Sequence, residues 1–175
     1  MKIIAIAAVT AGGKTSATKS IIKKIPKATS LHFDDYSFEG EVEDFCQWVK
    51  DGADCNVWNL TPLKNDIEKI IASGKYEYLF LDYPFAYKHE LLKDYIDCAI
   101  FIDTPLDIAL GRRILRDMKN SSADEIRCEI DFYLNHARIA YIQMLKDTLP
   151  ASDYVIDGSK KLEDIVDEII NISIR

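Results

Sequence analysis

The stretch IAAVTAGGKTSATKS (residues 6–20) decides the predicted fold, because its apolar run ends in two glycines followed by Lys14 and Thr15. The pattern departs from G-x-x-x-x-G-K-[ST] only at the first position, where Ala8 stands in place of glycine. A strand, such a loop and a following helix together bind phosphate through backbone N–H groups and the positive end of the helix. We therefore predict a phosphate-binding loop, which tolerates Ala8 provided that its backbone does not need a positive φ.

Each residue type in this loop has a predicted task. The two glycines let backbone N–H groups turn toward phosphate oxygens. Lys14 neutralises the β and γ oxygens, and the Thr15 hydroxyl can ligate Mg²⁺. The alternative is a glycine-rich turn with one exposed lysine, which the flanking strand and helix disfavour. We expect nucleotide contacts along the whole loop: Thr10, Ala11, Gly12, Gly13, Lys14, Thr15 and Ser16.

The composition limits the classes of partner. With 29 acidic and 22 basic residues among 175, the net charge of −7 argues against binding a nucleic-acid backbone or an anionic membrane.

The four cysteines lack C-x-x-C spacing and the three histidines are scattered, which predicts reduced thiols and no His/Cys metal site. The apolar run at 3–9 is too short for a signal peptide or a membrane span. We expect a single cytoplasmic domain over residues 1–175.

Short apolar runs alternate with helical patterns along the chain. The predicted strands are 2–8, 28–33, 76–82, 97–103 and 152–157. Apolar residues recur at helical spacing in 63–71, 106–118, 126–145 and 162–170. Pro62 and Pro105 mark two helix starts, with Thr61 and Thr104 as N-caps. The alternation predicts an α/β fold with a five-stranded parallel sheet and helices on both faces, and ligands then bind beyond the carboxyl ends of the strands.

Carboxylates follow two of these strands. Asp34 and Asp35 come after the second strand, where a kinase needs a base that orients the acceptor hydroxyl and takes its proton. Asp82 ends the third strand, where a Walker B-like acid holds Mg²⁺ or a water molecule bound to it. The alternative for these acids is a turn at the strand end. Tyr83 beside Asp82 is suited to stack on a planar substrate or to pack in the core.

Three arginines cluster after the fourth strand. On a helical wheel Arg112, Arg113 and Arg116 lie away from the apolar stripe, within an arc of roughly 100°. One interpretation is a solvated face paired with acids such as Asp117. The other is a mobile lid at about 111–125, whose arginines stabilise the transferring phosphoryl group.

With these residues in place, the sequence resembles the small P-loop kinases of the uridine kinase, nicotinamide riboside kinase and phosphoribulokinase group. The motifs that carry the likeness are AVTAGGKTS, FDDYSF, DCNVWNL, FIDTPLDIALGRRILRDM and ASDYVIDGSKKLEDI. The resemblance implies a three-layer P-loop NTPase sandwich with a helical lid. It also implies ATP and Mg²⁺ as co-substrates and phosphoryl transfer to a hydroxyl, typically of a ribosyl compound.

The resemblance, together with the positions of residues at strand ends and on the predicted helix, assigns roles to individual residues. The catalytic residues would be Lys14, Asp34, Arg113 and Arg116. The metal would lie at Thr15 and Asp34. Asp82 joins them because it ends the third strand, although the group commonly has Glu-Gly at this place. Beyond the loop, the nucleotide would contact Arg112, Asp157 and Gly158, and the acceptor would contact Asp35, Tyr36, Asp82 and Tyr83.

Two other hypotheses stay open at the level of sequence. One is a non-catalytic ATP-binding regulatory module; a GTPase is disfavoured because N-K-x-D and D-x-x-G are absent. The other is a nucleoside-monophosphate or shikimate-type kinase, but FDDYSFEGEVED (33–44) supplies only acids near Asp34. We expect a neutral or cationic small-molecule hydroxyl acceptor, no nucleic acid and no membrane, with a homo-oligomer left open.

Overall fold

A five-stranded parallel sheet forms the centre of the computed structural model, which describes residues 1–174. Its strands are β1 (Lys2–Ala7), β2 (Ala28–His32), β3 (Tyr78–Asp82), β4 (Cys98–Asp103) and β5 (Tyr154–Asp157). The order β2-β3-β1-β4-β5 places β1 in the middle, and every neighbouring pair is parallel. The predicted sheet is therefore confirmed, with each strand slightly shorter than its apolar run.

Helices cover both faces of this sheet. They are α1 (Lys14–Lys24), α2 (Phe45–Lys50), α3 (Thr61–Ser73), α4 (Leu106–Asp117), α5 (Ala123–Phe132), α6 (Arg138–Asp147) and α7 (Leu162–Ser173). Side chains alternate across a strand, so one strand serves two cores. Ile3 of β1 belongs to the core that contains Leu63 of α3, whereas Ile4 belongs to the core with Ile21 and Ile165 of α1 and α7. The three-layer α/β architecture follows from this double burial.

A smaller apolar cluster fastens the helices after β4 to the end of β1. Val9, just beyond β1, packs with Ala109 of α4, with Tyr133 directly after α5 and with Tyr141 of α6. The rings of Tyr133 and Tyr141 meet edge to face, with centroids 5.2 Å apart. This cluster holds α4 and α6 above the carboxyl end of the sheet, where the predicted site lies.

The helical pattern at 126–145 is not one regular α-helix, which corrects the sequence prediction. α5 and α6 are joined by a π-helical turn over Tyr133–Ala137. A π turn adds a residue to the helix and rotates the positions that follow it. Leu134, which the continuous pattern placed on the apolar face, is consequently 60% exposed.

The two predicted threonine N-caps are also wrong. Leu60 is the N-cap of α3 and Pro105 that of α4, neither with a side-chain capping bond. Asn59 instead accepts hydrogen bonds from both the N–H and the hydroxyl of Thr61. Thr104 is buried and donates its hydroxyl to the carbonyl of Gly12 at 2.8 Å, so it ties the end of β4 to the phosphate loop.

Within residues 1–174, no helix has both the length and the apolar character needed to cross a bilayer.

Candidate active site

The loop between β1 and α1 has the shape that phosphate binding requires. Gly13 is the N-cap of α1 with a φ of 104°, a conformation that L side chains rarely adopt. A Cβ on Gly12 would lie 2.7 Å from both the Cβ of Ala8 and the carbonyl oxygen of Val9. Both glycines are therefore needed, and the positive end of the eleven-residue α1 opens on the cavity that the loop lines. The loop thus fits a phosphate group.

Ala8 occupies the first position of the motif without strain. Positive φ in this loop is found at Ala11, at 59°, and at Gly13, but not at Ala8. Ala8 is 1% exposed, and its methyl group packs in the core beside Ala17 of α1. The backbone at Ala8 therefore does not need a positive φ, which is the condition under which the loop tolerates alanine. The alanine also contributes apolar burial.

One buried carboxylate lies beneath the loop. Asp82 is 3% exposed, and its Oδ2 accepts a hydrogen bond of 2.5 Å from the hydroxyl of Thr15. The Lys14 Nζ lies 3.7 Å from the other oxygen, Oδ1. A buried charge is costly unless it is paired, and Asp82 has a cation and a donor from the loop itself. The predicted Lys14, Thr15 and Asp82 are therefore brought together.

Sequence reasoning missed a fourth member of this cluster. His32 ends β2 directly opposite Asp82 in the sheet register, and its Nδ1 lies 3.0 Å from Asp82 Oδ2. Its Nε2 lies 3.1 Å from the hydroxyl of Ser30. Its position at the end of an apolar run, two residues before Asp34, was the available signal, but the pairing of β2 with β3 was not visible in the sequence.

No three His, Cys, Asp or Glu side chains in the described part of the chain lie close enough to hold a metal ion together. Mg²⁺ does not need such a cage, because it binds one or two protein oxygens together with substrate phosphates and water. The hydroxyl of Thr15 and the carboxylate of Asp82 form a donor set of that kind. The residues present therefore fit Mg²⁺ accompanied by a phosphate.

A cavity of about 1140 Å³ extends from the loop in two directions. Beyond β4 and β5 it is lined by Arg112, Lys160 and Leu162, and we call this side the nucleotide arm. Beyond β2 and β3 it is lined by Asp34 and Phe85, and we call this side the acceptor arm. The central loop lies between the two arms, so a molecule in one arm faces a molecule in the other across the phosphate site.

All three arginines of α4 line this cavity, and each has a polar partner. Arg112 donates to the carbonyl of Gly158 at 3.2 Å. Arg113 donates to the Tyr141 hydroxyl at 3.1 Å, and its Nη2 lies 2.6 Å from Glu129. The α4 arginines are thus both cavity-lining and paired, so the two interpretations of the cluster are compatible.

The third arginine pairs with its neighbour in sequence. Arg116 Nε lies 2.5 Å from Asp117, and this hydrogen bond raises the pKa of Arg116 and lowers that of Asp117. Asp34 lies near enough to contribute to the raised pKa of Arg116. A guanidinium of α4 and the predicted base therefore line the same cavity.

Six predicted site residues do not line this cavity. Two of them contact residues that do: Asp82 accepts from Thr15, and the carbonyl of Gly158 accepts from Arg112. The other four are Tyr83, Tyr36, Asp157 and Asp35. Tyr83 is fully buried in the core with α3, and burial raises its pKa well above the usual value. Of the two roles that the sequence left open for its ring, the structure shows core packing and not stacking on a substrate. The hydroxyl of Tyr36 donates to Asp66 at 3.0 Å. The carboxylate of Asp157 accepts from the N–H and hydroxyl of Ser159. Asp35 is exposed beside the cavity.

No protein-family model matches the chain. It is 26% identical over 187 residues to a uridine kinase from Staphylococcus carnosus, which covers 91% of this chain and 89% of that protein. It is 27% identical over 191 residues to a uridine kinase from Staphylococcus aureus, with 91% and 90% covered. The chain resembles the uridine kinases. The resemblance that the sequence motifs indicated is thereby confirmed.

The likeness to uridine kinases is not confined to the phosphate loop, because the matched region includes about nine tenths of the chain. Solved structures agree at the level of the fold. The chain superposes on a putative fructose transport system kinase from Silicibacter sp. with a TM-score of 0.60, over 88% of each chain and at 10% identity. The fold is that of an α/β P-loop kinase, as the resemblance to uridine kinases implies.

Proposed function

We propose that the protein is a small-molecule kinase that transfers the γ-phosphoryl group of ATP to a hydroxyl of a nucleoside-like acceptor. One observation carries the proposal: Lys14 of the phosphate loop and Asp34 of the acceptor arm line the same cavity. Lys14 begins α1, after the loop that follows β1, and Asp34 lies in the turn that follows β2; β3 lies between these two strands. A phosphate donor and a hydroxyl acceptor would meet between these two side chains.

The chemistry assigned to the residues is in-line transfer. The acceptor oxygen forms a bond to the γ phosphorus while the bond from phosphorus to the β–γ bridging oxygen breaks, and ADP leaves with that electron pair. The proton of the acceptor hydroxyl goes to the carboxylate of Asp34. Lys14 and the loop N–H groups hold the phosphates, and Arg113 and Arg116 stabilise the charge that spreads over the transferring group.

Mg²⁺, when bound, would neutralise phosphate charge, and Thr15 and Asp82 are the residues that would hold it, with Asp34 as a further candidate. The hydrogen bond between Thr15 and Asp82 favours this assignment, because it fixes the direction of the hydroxyl.

Charge in the acceptor arm favours an acceptor without a phosphate of its own. Glu43 and Asp44 line the cavity together with Asp34, which adds carboxylates where a phosphorylated acceptor would place negative charge. The nucleoside-monophosphate kinase hypothesis is disfavoured for this reason. Uridine, cytidine and nicotinamide riboside are the acceptors to test first.

The test is ADP release measured with Mg-ATP and Mg-GTP over nucleosides, nicotinamide riboside, pantothenate, sugars and hydroxy acids. Lys14→Ala is the blank. We expect Asp34→Asn to lower kcat by about 10²–10⁴-fold, the usual share of a general base, while ATP affinity stays within about twofold of wild type. Asp94→Asn is the matched control, because Asp94 is exposed, makes no ion pair within residues 1–174 and lies outside the cavity.

Full activity in Asp34→Asn would contradict the assignment of the base. If ATP raises the melting temperature but no acceptor gives turnover, the protein is a non-catalytic ATP-binding module and the kinase proposal is wrong.

A further inference from the structure

A salt bridge stands in the acceptor arm between two residues that the proposed chemistry does not use. Lys88 lies in the loop after β3, Asp147 ends α6, and their Nζ and Oδ2 atoms are 2.6 Å apart. Both side chains line the cavity, and about 30% of each remains exposed. A pair joined across 59 residues of sequence and open to a cavity can contact a ligand there.

Both partners of the salt bridge keep hydrogen-bonding groups that the bridge does not use. Oδ2 of Asp147 accepts from Lys88 and, at 2.7 Å, from Nε2 of Gln143. No described side chain donates to Oδ1, and the ammonium group has two further N–H bonds. Burial would raise the pKa of Asp147, but hydrogen bonds from Lys88 and Gln143 outweigh it and lower the pKa, so the carboxylate is charged at neutral pH.

Aromatic side chains form the neighbouring wall of the arm. Trp48 and Trp58 have ring centroids 5.4 Å apart, and Trp58 and Phe85 are 5.0 Å apart. All three line the cavity with Lys88. Phe85 also contacts Phe33, next to Asp34, at 5.5 Å between centroids. The aromatic wall therefore connects the predicted base to the salt bridge, and it suits a flat ring.

The arm also lies on the correct side of the phosphate loop for an acceptor. Lys88 follows β3 and Asp34 follows β2, and these strands are neighbours on one side of β1. The nucleotide arm lies on the other side, beyond β4 and β5. A ring held at Lys88 and Asp147 would belong to the molecule that presents its hydroxyl to Asp34.

We propose that Lys88 and Asp147 are specificity-determining residues that bind the amide-type edge of the acceptor's ring. The ring carbonyl accepts from the Lys88 ammonium, and the adjacent N–H donates to Oδ1 of Asp147. The acceptor class is a planar ring with a lactam or carboxamide edge, joined to a hydroxyl-bearing sugar. This inference rests on the proposed function, since it identifies the substrate of the same site.

Binding of substrate analogues that cannot react tests the inference separately from catalysis. The probes are 5′-deoxyuridine, its N3-methyl derivative and 5′-deoxy nicotinamide riboside, titrated by calorimetry. We expect the wild type to bind at least one unmethylated probe, and N3-methylation to weaken uridine binding at least tenfold if uridine is that probe. Asp147→Asn should weaken binding of the same probe at least tenfold. In this variant N3-methylation should weaken binding little further, because both changes remove the same hydrogen bond.

Asp131→Asn is the matched control, an exposed aspartate on α5 that lies outside the cavity. Binding of a non-hydrolysable ATP analogue reports that each variant is folded. If Asp147→Asn is not folded, Lys88→Met replaces it as the test variant. The inference is wrong if the wild type binds neither unmethylated probe, or if a folded variant keeps wild-type affinity for the probe that binds. Failure of the kinase proposal appears elsewhere, as absence of ADP release with every acceptor.

Discussion

The hydroxyl of Thr15 donates a hydrogen bond of 2.5 Å to Oδ2 of Asp82 and so joins the phosphate loop to the end of β3. The same carboxylate lies 3.7 Å from the Lys14 ammonium. Two side chains assigned to phosphate and metal are thus oriented by one buried acid before any ligand arrives. Pre-orientation of this kind lowers the entropy that binding must overcome.

Replacement of Asp82 by Asn should weaken the proposed metal site. We expect Asp82→Asn to raise the Mg²⁺ concentration for half-maximal turnover by about 10–100-fold, the usual effect of losing a group that orients a metal ligand. A Mg²⁺ titration of ADP release measures it. Asp103→Asn, at the end of β4 and outside the cavity, is the matched control and should match the wild type. An unchanged Mg²⁺ dependence in folded Asp82→Asn would refute the assignment.

Restoring the first glycine of the motif should improve neither the stability nor the turnover of the protein. Because Ala8 has an ordinary φ and a buried methyl group, Ala8→Gly should lower the free energy of unfolding by about 0.4–1 kcal/mol or more, with ATP affinity within about twofold. Urea denaturation and calorimetry measure these quantities. Gly12→Ala is the contrasting variant, since its Cβ would clash with Ala8 and Val9, and it should lose ATP binding. A tenfold gain in turnover for Ala8→Gly would contradict this account.

Arg113 should act on turnover more than on ATP binding, because its proposed partner is the charge of the transition state. We expect Arg113→Ala to lower kcat about 10³-fold or more, the range of arginines that act on transferring phosphoryl groups, with the KM for ATP changed less than about fivefold. Steady-state ADP release separates the two constants. Arg127→Ala is the control, because Arg127 is exposed and pairs with Asp124. A loss confined to KM would show that Arg113 serves binding instead.

The free energy of unfolding should depend on pH partly through Asp147. Its folded pKa is lowered, so the unfolded state binds more protons and acid favours unfolding. The contribution of the salt bridge is present above the unfolded pKa of about 3.9 and is lost as the pH falls through the folded value. Urea unfolding of wild type and Asp147→Asn at several pH values should show a stability difference that shrinks below about pH 4. A constant difference down to pH 2.5 would contradict the prediction.

Local patterns were enough to predict the strands and the phosphate loop. Aliphatic runs of strand length, such as the one that ends at Asp82, need burial on both faces, and the loop residues Gly13 and Lys14 are adjacent in sequence. Which of the two cores a side chain enters could be decided only from the sheet. Tyr83 N–H bonds to Ile6 and continues β3, so its side chain alternates with Asp82 and enters the opposite core. Of the two roles that the sequence left open for Tyr83, only core packing is compatible with this orientation.

The sequence by itself determined the fold class, the loop that fits phosphate and the strand ends that carry acids, because these depend on periodicity and on neighbours in the chain. Only the tertiary structure decided which of these groups meet. Thr15 and Asp82 are 67 residues apart, and Lys88 and Asp147 are 59 apart. Such pairs depend on strand order and helix packing, since β3 must lie beside β1 and α6 must cover the acceptor arm before the side chains can touch.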